Sequence, residues 1–205
     1  KGTNAFSGTF MPDKPDASTR RPIPNDILKV IQDRCQSTDD EMRWLVAMIS
    51  DTGMRLAEAA GLSRADVHLD KAIPHINIRP HPWRRLKTSG SQRKVPLVGC
   101  SLWAAKQALA ASSSHYLFPK YCNDRGCNSN SASAALNKWL KQLAGPEYVI
   151  HSLRHSIRDR LRAAGCPSDM IDQIGGWSTS KVGEGYGDGY TLDLLNQNLT
   201  AAVCI

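Results

Sequence analysis

Apolar residues recur at helical spacing in several stretches of this chain, separated by short breaks marked by glycine and proline. Met42, Leu45, Val46 and Ile49 stand at i, i+3, i+4 and i+7 and predict a helix with one buried face. Ahead of it, Thr38 and Glu41 have the spacing of a capping box. Upstream, Ile27, Val30 and Ile31 predict another helix, with Asn25 as its cap. A short helix over residues 54–60 should stop at Gly61. Helices are also predicted over 102–111 and over 134–143, where Leu136, Trp139, Leu140 and Leu143 repeat the same spacing. A further one runs over 152–164 and stops at Gly165; Pro167 and Ser168 open the next. Leu192, Leu195 and Leu199 give a last helix over 192–201 an apolar stripe.

Between residues 72 and 97 the pattern changes. His75-Ile76-Asn77-Ile78 and Arg93-Lys94-Val95-Pro96-Leu97 read as strands, with Thr88-Ser89-Gly90-Ser91 as the turn between them. The expected architecture is mostly α with a small antiparallel β-sheet of two or three strands. Segment 112–131 is loop-rich, and no internal repeat is present. Residues 1–22, rich in Gly, Pro, Ser and Asp, predict a linker, leaving 23–205 as the folded domain. Because the chain opens at Lys1 rather than methionine, it is read as part of something longer.

Composition narrows the function classes. At 41% hydrophobic and 22% charged residues, disorder and collagen-like repeats are excluded. The longest strongly apolar run, residues 44–49, is far short of the roughly 20 that span a membrane. No charged-then-apolar leader opens the sequence, so a cytoplasmic protein is expected. Of six cysteines only Cys122 and Cys127 are close, too few for a metal site; free thiols in a reducing compartment are expected.

Charge changes the picture more. Lys and Arg number 26 against 19 acids, a net +7. Lys71, Arg79, Arg84, Arg85, Lys87, Arg93 and Lys94 fall within one stretch that holds no acid. Arg154, Arg158 and Arg162 recur every four residues and line one helical face. Each group alone is an ordinary solvated face; together they point to a polyanion, with Arg84, Arg85, Arg93, Lys94 and Arg158 as candidate contacts to a DNA backbone.

Four places carry candidate chemistry. Thr52-Gly53-Met54-Arg55-Leu56-Ala57-Glu58 sets a cation in a small, apolar stretch, ordinarily half of an Arg–Glu pair. His151-Ser152-Leu153-Arg154-His155 puts His151 and Arg154 on one face of a helix start, where an anion is favoured. Lys87 lies at the sheet turn, usually a solvent-facing position. Gly175-Gly176-Trp177 is followed nine residues later by Tyr186 among alternating glycines; packing is the ordinary role of both aromatics.

In this order these residues resemble the tyrosine recombinase family, specifically phage-type integrases, from about residue 25 to the end. The resemblance implies the family's catalytic-domain (DNA breaking-rejoining) fold, with an N-terminal core-binding domain missing. It implies a catalytic set of Arg55, Lys87, His151, Arg154, Trp177 and Tyr186. Trp177 departs from the commoner histidine, although its indole N–H can still donate. In the implied chemistry Tyr186 is the nucleophile and leaves a 3′-phosphotyrosyl link. His151 accepts its proton, Lys87 protonates the departing 5′-oxygen, and Arg55 and Arg154 neutralise the phosphate. Glu58 orients Arg55 or packs structurally. No metal or other cofactor is implied. The implied partners are double-stranded DNA attachment sites, other copies of the chain in a tetramer on two duplexes, and DNA-bending accessory proteins; a mobile element or prophage would be integrated or excised. Two alternatives stay open: DNA relaxation of the type IB topoisomerase kind, and a non-catalytic DNA-binding regulator on the same fold.

Overall fold

The computed structural model describes residues 20–88, 91–177 and 189–204. Eight helices and two small antiparallel sheets are present among them: α1 (Asn25–Thr38), α2 (Glu41–Thr52), α3 (Leu56–Ala60), β1 (Val67–His68), β2 (His75–Ile78), β3 (Arg93–Pro96), α4 (Gly99–Ala111), β4 (Cys122–Asn123), β5 (Gly126–Cys127), α5 (Ser129–Ala144), α6 (Ser152–Ala163), α7 (Ser168–Gly175) and α8 (Leu192–Val203). No helix among the described residues is long and apolar enough to cross a membrane.

Helix α2 is the centre. Its run Leu45–Thr52 is buried on every side, not on one face only, because α1, α4 and α6 all pack against it. The cost of burying Asp51 there is offset by a complete set of partners. Arg160 of α6 donates to its Oδ1 from both terminal nitrogens at 3.1 Å, Gln32 of α1 donates at 2.9 Å, and the Cys100 amide at the start of α4 donates to Oδ2 at 2.8 Å. One carboxylate thus fixes four helices.

Several local expectations are corrected. Pro24, not Asn25, occupies the N-cap of α1, where its fixed φ of −57° suits a helix entrance and its carbonyl accepts from the Leu28 amide. The buried face of α1 is Leu28, Ile31 and Cys35, and Val30 is 54% exposed. Thr38 ends α1 instead of capping α2. Asp40 is that cap, accepting from the Arg43 amide at 3.0 Å, and Glu41 accepts from the Lys120 amide instead. The 112–131 segment contains the ribbon β4–β5, which is too short to give a periodic signal. Most of the 1–22 linker lies outside the described residues; Ile23 is buried, its amide donating to Ser156 Oγ at 2.7 Å.

The main sheet runs β1-β2-β3, with Val67 opposite Ile76 and Ile76 opposite Val95. The β2–β3 connection carries Lys87. Helix α8 closes the fold by burying Leu195, Leu199 and Ala202 against α6 and β3. The final helix therefore belongs to its own core. Replacing Leu199 by Ala should cost about 2–5 kcal/mol of stability through a cavity between α6 and α8, read as a lower urea midpoint. A loss under about 1 kcal/mol would place the helix off the core.

Candidate active site

The site is assembled where α3, β3, α6 and the end of α7 meet. Gly53 ends α2 in the left-handed conformation at φ +64° and turns the chain sharply into α3. Arg55 follows at the N-cap of α3. Its amide donates to Glu58 Oε2 at 2.9 Å, and its Nη1 donates to Glu58 Oε1 at 2.6 Å. The same nitrogen reaches Ser91 Oγ at 3.3 Å, while Nη2 donates to the Gly176 carbonyl at 2.8 Å.

Glu58 is 2% exposed and takes a second cation, Arg93 Nη2, at 3.0 Å. Burial alone would raise its carboxyl; the charge and hydrogen bond of Arg93, with the two hydrogen bonds from Arg55, outweigh burial and hold it below the ordinary range. Arg93 also donates from Nε to the Ile174 carbonyl and from Nη1 to the Ser91 carbonyl, both at 2.8 Å. Its side chain is 4% exposed. The expectation that Arg93 faces DNA is thereby corrected: it ties strand β3 to α3 and to the last turn of α7. Strand alternation carries the signal, since Arg93 shares a face with the buried Val95 and Leu97.

Helix α6 begins with His151 at its N-cap and supplies Arg154, which is 2% exposed. Arg154 donates to the Gly53 carbonyl and, at 3.1 Å, to the Gly175 carbonyl. Arg55 and Arg154 are thus held on the adjacent carbonyls of Gly176 and Gly175. A guanidinium carries five N–H donors, so Arg154 has three uncommitted, including a buried Nε without a partner. Burial and then the charge of Arg55 push its pKa down to about 9, so it remains charged at neutral pH.

The Gly-Gly-Trp turn has a steric reason. A Cβ on Gly175 would fall 1.8 Å from the Trp177 ring, and one on Gly176, at φ +63°, would fall 2.5 Å from Arg93 Nη1. Two guanidinium groups approach the indole: Arg154 lies 4.7 Å and Arg158 4.9 Å from its ring centroid. Arg158 also pairs with Asp172 at 3.2 Å and is half-buried.

His151 and Arg154 line a cavity of about 200 Å³ together with Arg20, Ser133 and Asn137. Burial, then the charge of Arg154, lowers the His151 imidazole to about 4, so it is neutral at pH 7 and free to accept a proton. Its ring meets His155 edge-on with centroids 5.3 Å apart.

Arg55, His151, Arg154 and Trp177 therefore come together. Lys87 is exposed on the hairpin segment, whose end is held by the Ser91 amide on the Thr88 carbonyl at 3.1 Å. Tyr186 lies outside the described residues. Tyr190, the rival nucleophile by type, is folded back onto α7, its hydroxyl donating to Asp169 at 2.7 Å. The basic stretch is mostly committed: Lys71 pairs with Asp70, Arg79 pairs with Asp66, and Arg84 is buried at 4% exposure against the Gly61 carbonyl. Arg84 is thus a second correction to the expected DNA-facing set. Arg85 and Lys94 are exposed. Sequence reading missed the Ser91 link, because a turn serine gives no signal of a distant partner.

Residues 24–188 match the phage integrase family, and the chain belongs to it. The fold is that of the tyrosine recombinase catalytic domain. Among curated relatives, it is 29% identical over 140 residues to tyrosine recombinase XerC of Neisseria meningitidis, covering 66% of this chain and 43% of that protein. It is 30% identical over 148 residues to tyrosine recombinase XerD of Corynebacterium glutamicum, covering 67% and 44%. The chain thus spans less than half the length of these relatives. The solved Tn1549 transposon integrase, in complex with circular intermediate DNA, superposes with a TM-score of 0.61 at 16% identity, over 87% of this chain and 64% of that one. The XerA recombinase superposes with a TM-score of 0.58 at 22% identity, over 92% and 61%.

The depressed His151 value has a consequence for stability. The unfolded imidazole takes up a proton near pH 6.5, whereas the folded one resists until about pH 4. The unfolded state then binds more protons, so this group removes stability as pH falls from about 6.5 through about 4. NMR titration should find the His151 ring neutral at pH 6; a midpoint at or above 6.5 would contradict its burial beside Arg154.

Proposed function

We propose that this chain is the catalytic portion of a site-specific DNA recombinase that cleaves and rejoins DNA through a 3′-phosphotyrosyl intermediate. The observation that carries the reading is the pair of guanidinium groups, Arg55 and Arg154, held side by side on the Gly175 and Gly176 carbonyls with N–H donors to spare. A phosphodiester resists attack because it is anionic, and negative charge on its non-bridging oxygens grows in the transition state. Two fixed guanidinium forks oppose that charge without rearranging.

Tyr186 supplies the nucleophile. Its oxygen bonds to phosphorus as the bond to the 5′-oxygen breaks, the phenolic proton passes to neutral His151, and Lys87 gives a proton to the leaving oxygen. The phosphotyrosyl link conserves a phosphodiester, so a 5′-hydroxyl from a second strand can reverse the step. Trp177 steadies the Arg154 and Arg158 side chains through its ring. The exposed Arg85 and Lys94 add to the backbone contacts.

Family membership supports recombination, and the DNA complex of the Tn1549 integrase supports a duplex substrate. Attachment sites on two duplexes joined by four copies of the chain, with accessory bending proteins, complete the reading, the element moved being a prophage or transposon.

A nicked suicide substrate tests it. The native chain should become covalently joined to DNA, and Tyr186→Phe should abolish the link while leaving DNA affinity within about twofold. Arg154→Lys keeps the charge but loses the fork, and should slow linkage by about 10²-fold or more. Linkage surviving in Tyr186→Phe would move the nucleophile elsewhere. Relaxation of supercoils without strand exchange between paired sites would favour a topoisomerase.

A further inference from the structure

Cys122 and Cys127 take no part in the chemistry above, yet the ribbon β4–β5 sets them directly opposite each other. Asn123 faces Gly126 across a turn of Asp124 and Arg125. The Cys127 amide donates outward to the Trp83 carbonyl at 3.0 Å, and the Asn128 amide donates to the Tyr121 carbonyl at 2.7 Å. The cysteines therefore occupy a non-hydrogen-bonded pair, in which opposed Cα atoms stand about 4.5 Å apart. A disulfide closes over about 4.4–6.8 Å. Both thiols are free. Cys122 is buried, with its Sγ donating to the Ala60 carbonyl at 3.1 Å, whereas Cys127 is half-buried and the more accessible.

A second observation concerns Arg84. This buried guanidinium holds the Gly61 carbonyl by long contacts, 3.4 Å from Nε and 3.5 Å from Nη2, and its Nη1 has no partner. No carboxylate pairs with it among the described residues: Glu58 is taken by Arg55 and Arg93, and Asp66 by Arg79 and His81. Asp66 and Glu58 act on its charge without touching it, and the Cys127 and Cys122 sulfurs add to them. The neighbouring Cys122 side chain and then the charge of Arg84 pull the Cys127 thiol down against its burial, while Cys127 and burial push Cys122 up.

We propose that Cys122 and Cys127 form a redox-active dithiol which small-molecule disulfides oxidise to an intrachain disulfide, and that this closure slows DNA cleavage. The Cys127 thiolate attacks one sulfur of the oxidant, displacing the other as a thiolate and forming a mixed disulfide. Cys122 then attacks the Cys127 sulfur, expelling the second thiolate, which takes the Cys122 proton. Two electrons leave the protein, and the oxidant becomes two thiols. The product cannot ionise, so Arg84 loses the contribution of Cys127 and the Ala60 carbonyl loses its S–H donor. Ala60 ends α3, the helix that Arg55 caps, and Arg84 lies on the segment leading to Lys87. Closure thus loosens both anchors. The effect on cleavage rests on the function proposed above; the thiol chemistry does not.

The test exposes the intact chain to glutathione disulfide, quenches with an alkylating agent and maps the cysteines by mass spectrometry. A Cys122–Cys127 link should form before other thiols react and should reverse with dithiothreitol. Cys122→Ser should retain glutathione on Cys127, and Cys127→Ser should leave Cys122 unmodified. Glutathione found mainly on the exposed Cys204, with no link across the ribbon, would overturn the dithiol. On a nicked substrate the oxidised chain should form its covalent link about tenfold more slowly and recover on reduction. The double variant Cys122→Ser/Cys127→Ser should ignore the oxidant. Equal rates before and after closure would overturn the coupling to cleavage, while the mass measurement reads closure whether or not the chain cleaves DNA.

Discussion

A buried carboxylate between two arginines, Glu58 with Arg55 and Arg93, is the interaction on which the site depends. The region gathers Arg55, Arg93, Arg154 and Arg158, and such a density of positive charge would push itself apart without an internal anion. Glu58 sits at the pivot, 2% exposed, with one oxygen on Arg55 and the other on Arg93. Arg93 extends the link to the Ile174 and Ser91 carbonyls, and Arg55 extends it to Gly176. Helix α3, the sheet and the end of α7 are therefore one electrostatic unit. The charge left over, on Arg154 and on the unused donors of Arg55, is what an incoming phosphate would meet.

Backbone geometry makes that unit possible. The carbonyls of Gly53 and Gly175 both accept from Arg154, and the carbonyl of Gly176 accepts from Arg55. Two of these residues have positive φ, and the third has a tryptophan ring where a Cβ would stand. Small residues near the arginines are thus the condition for turning carbonyls toward guanidinium groups. Trp177 then brings its ring within stacking distance of both Arg154 and Arg158.

The sequence was legible where one interaction decides the outcome. Apolar spacing located α2, α5 and α8, because the core-facing positions of each recur at helical spacing, and the Gly165 stop marked the end of α6. The order of Arg55, Lys87, His151, Arg154, Trp177 and Tyr186, with nine residues from Trp177 to Tyr186, carried the resemblance to the family. Reading failed where two partners far apart in the chain decide. Arg84 and Arg93 look like neighbours of Arg85 and Lys94 in a basic run, and only tertiary contacts with Gly61, Glu58 and Ile174 turn the first two inward. Caps failed for a related reason. Thr38 and Glu41 satisfy the local pattern, but Asp40 reaches the Arg43 amide while Lys120 claims Glu41.

A double-mutant cycle between Glu58 and Arg93 tests the central claim most directly. Unfolding free energies of Glu58→Gln, Arg93→Met and the double variant would be compared with the native chain. Removing Glu58 strands Arg93 in the interior, and removing Arg93 leaves buried Glu58 to Arg55 alone; each should cost about 3–5 kcal/mol, with little further loss in the double variant. That pattern corresponds to a coupling of about 3 kcal/mol. Single losses that add to within about 0.5 kcal/mol would show that the two residues act independently and that Glu58 does not hold the site together.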